Sequence, residues 1–550
     1  MKKISGLLLV GCSALALAGC GADDISAPGA DSITVNNGST TPTQSPTPTP
    51  TPTSTTVVAA TSCPSTGGVT LTNDGVVTSP EGTWRVCTLP ALINKSSALP
   101  KVAGVLYRLH GRVDVGCDGG FSAPTSGSPY TTTTQSCLDA GIGTAAAQLT
   151  SDTNVTLTVD PGVIVYGENG SGPAWLAVNR GNKISATGTA EKPIIFTSVE
   201  NVTHQNGFGD TAQGEWGGVV LLGRGLVTDC DNGIATNNVG SAHTCERETE
   251  GSANPATFGG NDNSYNAGTM KYVQIRYSGY SLSPNKELQS LTGGGVGTGT
   301  TLEYFQSVNS SDDGSEWFGG AVNFKHYIAV NADDDSLDMD TGLKGNFQYL
   351  LLLQRANGGD AFFEDDSDGN ETDKPRQNTT VANFTAVQSG NHDGHSDKAS
   401  IMVRGNTDIN FVNGIVYTPS DECINLSNNA ATKSDGPTFT ANSVVMTCGG
   451  TGPFLGTGSA TAAEAKAMFD AGTNNNSAFT STLASTFVNG SNESGVTSYS
   501  NITSLSSYFD NVAYIGAVNG TSDTWYKGWT CDNSTANFGS GQACTALPTT

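Results

Sequence analysis

The sequence predicts an all-β protein wound as a parallel β-helix, and three observations carry that expectation. A short strand phrase recurs in mid-chain: Glu303-Tyr304-Phe305-Gln306-Ser307-Val308-Asn309, His326-Tyr327-Ile328-Ala329-Val330-Asn331 and Gln348-Tyr349-Leu350-Leu351-Leu352. Its tyrosines Tyr304, Tyr327 and Tyr349 stand 23 and 22 residues apart. A unit of about 22 residues with one strand pattern, Asn-rich turns and no helical period is what stacked coils require. The composition agrees, since 69 of 550 residues are Gly and only 14% are charged, which suits short strands between tight turns and not helical bundles. Acidic residues also recur at the same 22-residue offset, as Glu316, Asp338 and Asp360. A sandwich gives no fixed long period, and a propeller blade needs about 40 residues with hairpin signals.

The elements follow in chain order. Residues 1–20 read as a lipoprotein signal peptide: Lys2 and Lys3, a short apolar run, then Leu17-Ala18-Gly19-Cys20. The run is too short to span a bilayer. Cys20 is the expected site of acylation and a better choice than Cys12, which has little apolar chain before it. Gly21 rather than Asp follows, which by resemblance to known lipoproteins predicts transfer to the outer membrane, held there by lipid alone, with the cell surface as the expected face and the periplasmic face as the alternative. Residues 21–56, with Thr47-Pro48-Thr49-Pro50-Thr51-Pro52-Thr53, read as an extended stalk. Residues 57–150 are expected to form an N-terminal cap, 151–455 the β-helix, and 456–550 a C-terminal cap. That last cap would open with the helical stretch 460–469 and finish in a disulfide loop.

Ten further cysteines fall in neighbour pairs: Cys63 and Cys87, Cys117 and Cys137, Cys230 and Cys245, Cys423 and Cys448, Cys531 and Cys544. An even count in an exported chain reads as disulfides, and nearest-neighbour pairing is the simplest connectivity. The absence of CxxC argues against zinc or thioredoxin-like chemistry. A formal charge of −25 argues against nucleic acid and anionic lipid headgroups, and suits divalent cations.

Several longer motifs carry a resemblance. They are Val159-Asp160-Pro161-Gly162-Val163-Ile164-Val165-Tyr166-Gly167, Arg180-Gly181-Asn182-Lys183-Ile184, Trp216-Gly217-Gly218-Val219, and Asp312-Asp313-Gly314-Ser315-Glu316-Trp317-Phe318-Gly319-Gly320. Tyr514-Ile515-Gly516-Ala517-Val518 and Trp525-Tyr526-Lys527-Gly528-Trp529 continue the match near the end. The chain resembles secreted bacterial parallel β-helix lipoproteins over roughly residues 150–530. The resemblance implies a pectate-lyase-like, right-handed β-helix and supplies no catalytic residue.

The acidic edge is the sharpest chemical expectation. With coils in register, Glu316, Asp338 and Asp360 form one column, and Asp312-Asp313 falls on Asp334-Asp335. Carboxylates about 5 Å apart repel by roughly 3 kcal/mol at an effective dielectric of 20. They must be solvated, protonated or bridged by a cation, and Ca²⁺ is the cation that tolerates irregular oxygen clusters. Asp312, Asp313, Glu316, Asp334, Asp335, Asp338 and Asp360 are therefore candidate metal ligands, with a solvated acidic turn as the competing reading. The run from Glu364 to Asp373 has a partial calcium-loop pattern, but its twelfth position is Pro375, and a solvated loop is the better reading.

His392, Asp393 and His395 on the next coil, with Arg404, are candidate ligand-binding residues. Arg355 and Arg376 are alternative basic partners, and Trp175, Trp216 and Trp317 read as core rather than sugar platforms. Together these predict a surface lipoprotein whose acidic, calcium-loaded face binds an extracellular glycan or partner protein. A polysaccharide lyase or glycoside hydrolase, and a structural or adhesive protein, stand as alternatives. An open groove faced by Arg or Lys would distinguish a lyase-like site from flat, uncovered columns.

Overall fold

The computed structural model describes residues 56–170, 172–205, 207–236, 243–250, 254–280, 287–367, 370–390 and 399–549. The signal peptide with Cys20, almost all of the stalk, and His392, Asp393 and His395 lie outside the described residues.

The chain winds as a right-handed parallel β-helix. One wall is an eleven-stranded sheet running in spatial order from Leu92–Ile93 through Trp175–Val178, Glu316–Phe318, Leu337–Asp340 and Phe363–Asp365 to Phe454–Gly458. A fifteen-stranded sheet supplies the other walls. In the early coils these are separate, with Lys183–Thr187 and Ile194–Ser198 both pairing with Gly268–Arg276. From Gly268 onward the two walls fuse into single long strands such as Ala321–Val330 and Lys344–Gln354.

A corner divides each long strand. Tyr272, Tyr304, His326, Tyr349, Asn383, Asn413 and Ser443 all have φ between 49° and 65°, a conformation that costs a non-glycine residue free energy. Stacking offsets that cost. Tyr272 and Tyr304 rings lie 4.4 Å apart, Tyr304 and His326 4.2 Å, and His326 and Tyr349 4.8 Å, all near parallel. His326, not Tyr327, is thus the counterpart of Tyr304 and Tyr349, so the coils measure 22 and 23 residues. Tyr327 stacks inward between Phe305 and Leu350 and is fully buried. The inward column Val273, Phe305, Tyr327, Leu350 and Phe384 is one row of the continuous core, each large apolar side chain contributing about 1.5–3 kcal/mol.

The ladder begins earlier than the expected boundary near residue 151. Gly82–Thr88 and Val105–His110 already pair parallel, and Arg112–Val115 pairs with Trp175–Val178. The covering part is an antiparallel hairpin, Thr72–Ser79 on Gly82–Thr88, which occupies the first strand's open edge. At the other end the helix Ala462–Asp470 closes the core with Phe469 against Phe454, 5.3 Å between rings. A reciprocal capping box between Thr461 and Glu464 starts this helix.

Beyond the helix the chain does not stay at that end. Residues 472–549 return along the outside of the large sheet to the N-terminal coils. A row of buried polar side chains on the sheet holds this strap by its backbone: Ser443 and Asn413 bind Thr497 and Tyr499, and Gln348 binds Asp510. Gln306 pairs with Cys531, and Arg276 donates to the Cys544 and Ala546 carbonyls. The Cys531–Cys544 loop therefore packs against early coils rather than finishing a C-terminal cap. All five disulfides join sequence neighbours. Trp175, Trp216 and Trp317 are fully buried.

Candidate functional site

The acidic edge is built by strand alternation. In Glu316–Phe318 and Leu337–Asp340, Trp317 and Met339 point into the core, so Glu316, Asp338 and Asp340 point out. The turn before each strand carries Asp312-Asp313 and Asp334-Asp335. Gly314 is required there, because a Cβ would sit 2.5 Å from the Ser336 carbonyl oxygen. Successive turns are tied by aspartate: Asp335 N–H donates to Asp313 Oδ1 at 2.9 Å, and Ala361 N–H to Asp335 Oδ1 at 2.7 Å.

The columns differ from the expected ones at the third coil. Glu316 pairs in register with Asp338, and Asp338 with Glu364, not with Asp360. Asp360 stacks instead on Asp334, its N–H donating to the Asp334 carbonyl at 3.0 Å. The coil between Asp338 and Glu364 has 26 residues, four more than its predecessor, so a fixed 22-residue offset lands on the wrong carboxylate.

These side chains line a cleft of about 640 Å³, with Glu250, Glu287 and Gln289 on one side and Arg404 at the far end. Two carboxylate triads lie in it, Asp312–Asp313–Asp334 and Asp313–Glu316–Asp338, each with ligand oxygens within 4.8 Å of one another. Asp313 belongs to both. Asp335 and Asp360 line the cleft but stand outside the triads.

The electrostatics follow from burial. Asp312, Asp313 and Glu316 are 4–8% exposed. Desolvation, then repulsion from Asp334 on Asp312, from Asp312 on Asp313 and from Asp338 on Glu316, hold all three well above the carboxylate range. Burial pushes Asp338 up to about 8, against a hydrogen bond with Glu316 and attraction from Arg404. Asp338 Oδ1 is buried without a hydrogen-bond partner among the described residues. Such a set is poised to exchange protons for a hard divalent cation, which prefers six to eight oxygen ligands.

Arg404 is in the cleft, ion-paired to Glu364 at 2.6 Å and Asp366 at 2.8 Å. Arg376 is not; it binds Asp408 and the carbonyls of Thr407, Asp435 and Gly436. Arg355 pairs with Asp333 and lines a different cleft. The suspected calcium loop starts as a strand, Phe363–Asp365, with Asp365 turned inward to accept from Thr379 at 2.8 Å. Sequence spacing missed Glu250 and Glu287, which lie beside insertions with no period. Glu364 was detectable, because Phe363-Glu364 repeats the apolar–acidic pair Leu337-Asp338.

Residues 131–530 match the family model for a pectate-lyase like beta helix domain. Neither the curated proteins nor the solved structures contain a match to the chain.

Proposed function

Because the chain belongs to the pectate-lyase-like β-helix family, and because its lateral cleft is acidic, we propose that it is a lipid-anchored surface protein that binds an anionic extracellular glycan through Ca²⁺. The observation that carries this reading is the pair of carboxylate triads sharing Asp313. Asp312, Asp313, Glu316, Asp334 and Asp338 would hold the cation. Bound there, Ca²⁺ supplies positive charge that a carboxylated sugar can bridge. Arg404 also lines the cleft, and a second acidic group of the ligand would meet it there.

Binding is favoured over turnover. Lyase chemistry needs a base that takes the proton at C5 while the C4–O bond breaks and the leaving oxygen is protonated. Arg404 is the cation lining the cleft among the described residues, and it is ion-paired to two carboxylates. It can orient an acid group and is a poor base. An open cleft faced by Arg404 nevertheless keeps the polysaccharide lyase as the second reading.

The test is calorimetric titration of chelator-stripped full chain with Ca²⁺, followed by a glycan array with and without chelator. Calcium binding and calcium-dependent retention of uronate glycans are the expected results. Absence of calcium binding overturns the proposal. Unsaturated uronate released from those glycans, and abolished by Asp338→Asn, replaces binding by catalysis.

A further inference from the structure

A stack of coils contacts only its neighbours, so its end coils open before its middle ones unless something joins the two ends. The strap meets both. At its start it covers the open edge of the last long strand, Thr438–Cys448. There Ser443 N–H donates to the Thr473 carbonyl at 2.7 Å and Met446 N–H to that of Asn476 at 2.8 Å. At its finish Leu547, 2% exposed, packs in one apolar cluster with Val57, Trp84, Ile164 and Ile195 of the first coils. Leu547 N–H donates to Glu81 Oε1 at 3.3 Å, in the turn of the opening hairpin, and Asn201 Nδ2 donates to the Thr545 carbonyl at 2.8 Å.

Between its ends the strap is fastened to successive coils. Ile328, Val330, Leu351 and Leu353 point out of the stack yet are buried, because Trp529 and other apolar strap residues cover them. Three amides each hold both the N–H and the C=O of one strap residue: Asn413 with Tyr499, Gln348 with Asp510 and Gln306 with Cys531. The fully buried Arg276 guanidinium is satisfied by Gln274 Oε1 and by the Cys544 and Ala546 carbonyls, so lifting the strap strips acceptors from a buried cation. One covalent segment thus grips the last strand, the intervening rungs and the opening hairpin. An end coil can open only by tearing the strap away or by opening together with the rest.

We propose that the strap is a clasp joining the first and last coils, which makes the β-helix open as one unit instead of fraying from its N-terminal end. The test is hydrogen exchange, read by mass spectrometry in detergent, chelator and low urea. It uses the full chain with a protease site inserted between Thr521 and Ser522, both exposed, and cut only after folding. The cut frees residues 522–550, since the Cys531–Cys544 disulfide lies wholly within that piece. Before the cut, Gly82–Thr88, Val105–His110 and Asp408–Thr418 exchange through one opening event with the same urea dependence. After it, the first two strands exchange at least about tenfold faster with a shallower urea dependence, while Asp408–Thr418 is unchanged. The same site placed off the strap, between the exposed Ser126 and Gly127, alters none of them when cut. Independent opening of the first strands in the uncut chain overturns the proposal. So does a strap cut that leaves their exchange unchanged or speeds all three strands equally, or a cut at Ser126 that reproduces the effect.

Discussion

Replacing Asp313 by Asn tests the acidic cleft at its most connected point. Asp313 shares both triads, so it faces Asp312, Asp334, Glu316 and Asp338 with oxygens within 4.8 Å. At that separation and an effective dielectric of 20, each fully ionised pair repels by about 3.5 kcal/mol. The molecule avoids most of this by retaining protons, which leaves a residual penalty on the order of 1–3 kcal/mol for a substitution to relieve. Asn is isosteric, its oxygen can still accept the Asp335 N–H, and its amide can donate to a neighbouring carboxylate. Without metal, Asp313→Asn should therefore raise the urea midpoint at pH 8. With metal the sign reverses, because one substitution removes a charged ligand from both triads. Calcium affinity should fall at least about 100-fold, roughly 2.8 kcal/mol. Urea unfolding in chelator and calcium titration by calorimetry read the two effects on one preparation. A variant destabilised in chelator, or one with unchanged calcium affinity, would refute the reasoning.

Three other outcomes follow from the same structure. Asp312, Asp313 and Glu316 are held well above their unfolded values, and Asp338 near about 8. The folded state thus binds protons more tightly, and their stabilising contribution, complete below about pH 4, is lost as pH rises toward 8. Urea midpoints of chelated protein should fall from about pH 5 to about pH 8.5, and Ca²⁺ should flatten that slope. Gln348→Leu strands the Asp510 N–H and C=O, which Gln348 now satisfies at 2.9 and 2.8 Å. A loss of about 2–4 kcal/mol, with new protease cleavage near residue 510, is expected from urea unfolding and limited proteolysis. Arg180→Met leaves the buried Asp118 carboxylate, now 2.6 Å from Arg180, without its partner. This should cost about 3–5 kcal/mol by urea unfolding, largely recovered when Asp118→Asn is added.

Much of the coil architecture was legible because stacking makes sequence spacing equal to spatial neighbourhood. Tyr304 and Tyr349 marked the corner, and the tryptophans announced themselves as core. Tyr327 misled, since it stands one residue past His326 and points into the core where its apparent counterparts point out. Aromatic identity alone cannot separate an inward residue from one at a left-handed corner. The strap was not legible at all. Its contacts are single side chains such as Gln306 reaching 225 residues along the chain to Cys531, and no local period records such pairs.

The cleft itself arises where the repeat is broken. Two coils of equal length would have stacked Asp312 on Asp334 and Glu316 on Asp338 indefinitely, giving a flat acidic wall open to water. The four extra residues in the next coil lie between Asp334 and Asp360, while the strand register still brings Glu364 onto Asp338. Twelve further residues separate the following pair, Glu364 and Met402 standing 38 apart in sequence yet adjacent in register. That longer coil replaces an acid by Met402 on the column and brings Arg404 beside Glu364 and Asp366. The charge column is thereby terminated by a cation, and the repulsion that would grow with every added carboxylate is confined to the triads around Asp313. A four-residue deletion that restored the 22-residue spacing should keep Glu364 on Asp338 and Asp360 on Asp334 and open the acidic wall. Calcium affinity at the triads should fall with the lost enclosure, because solvated carboxylates no longer gain from replacing buried protons by metal.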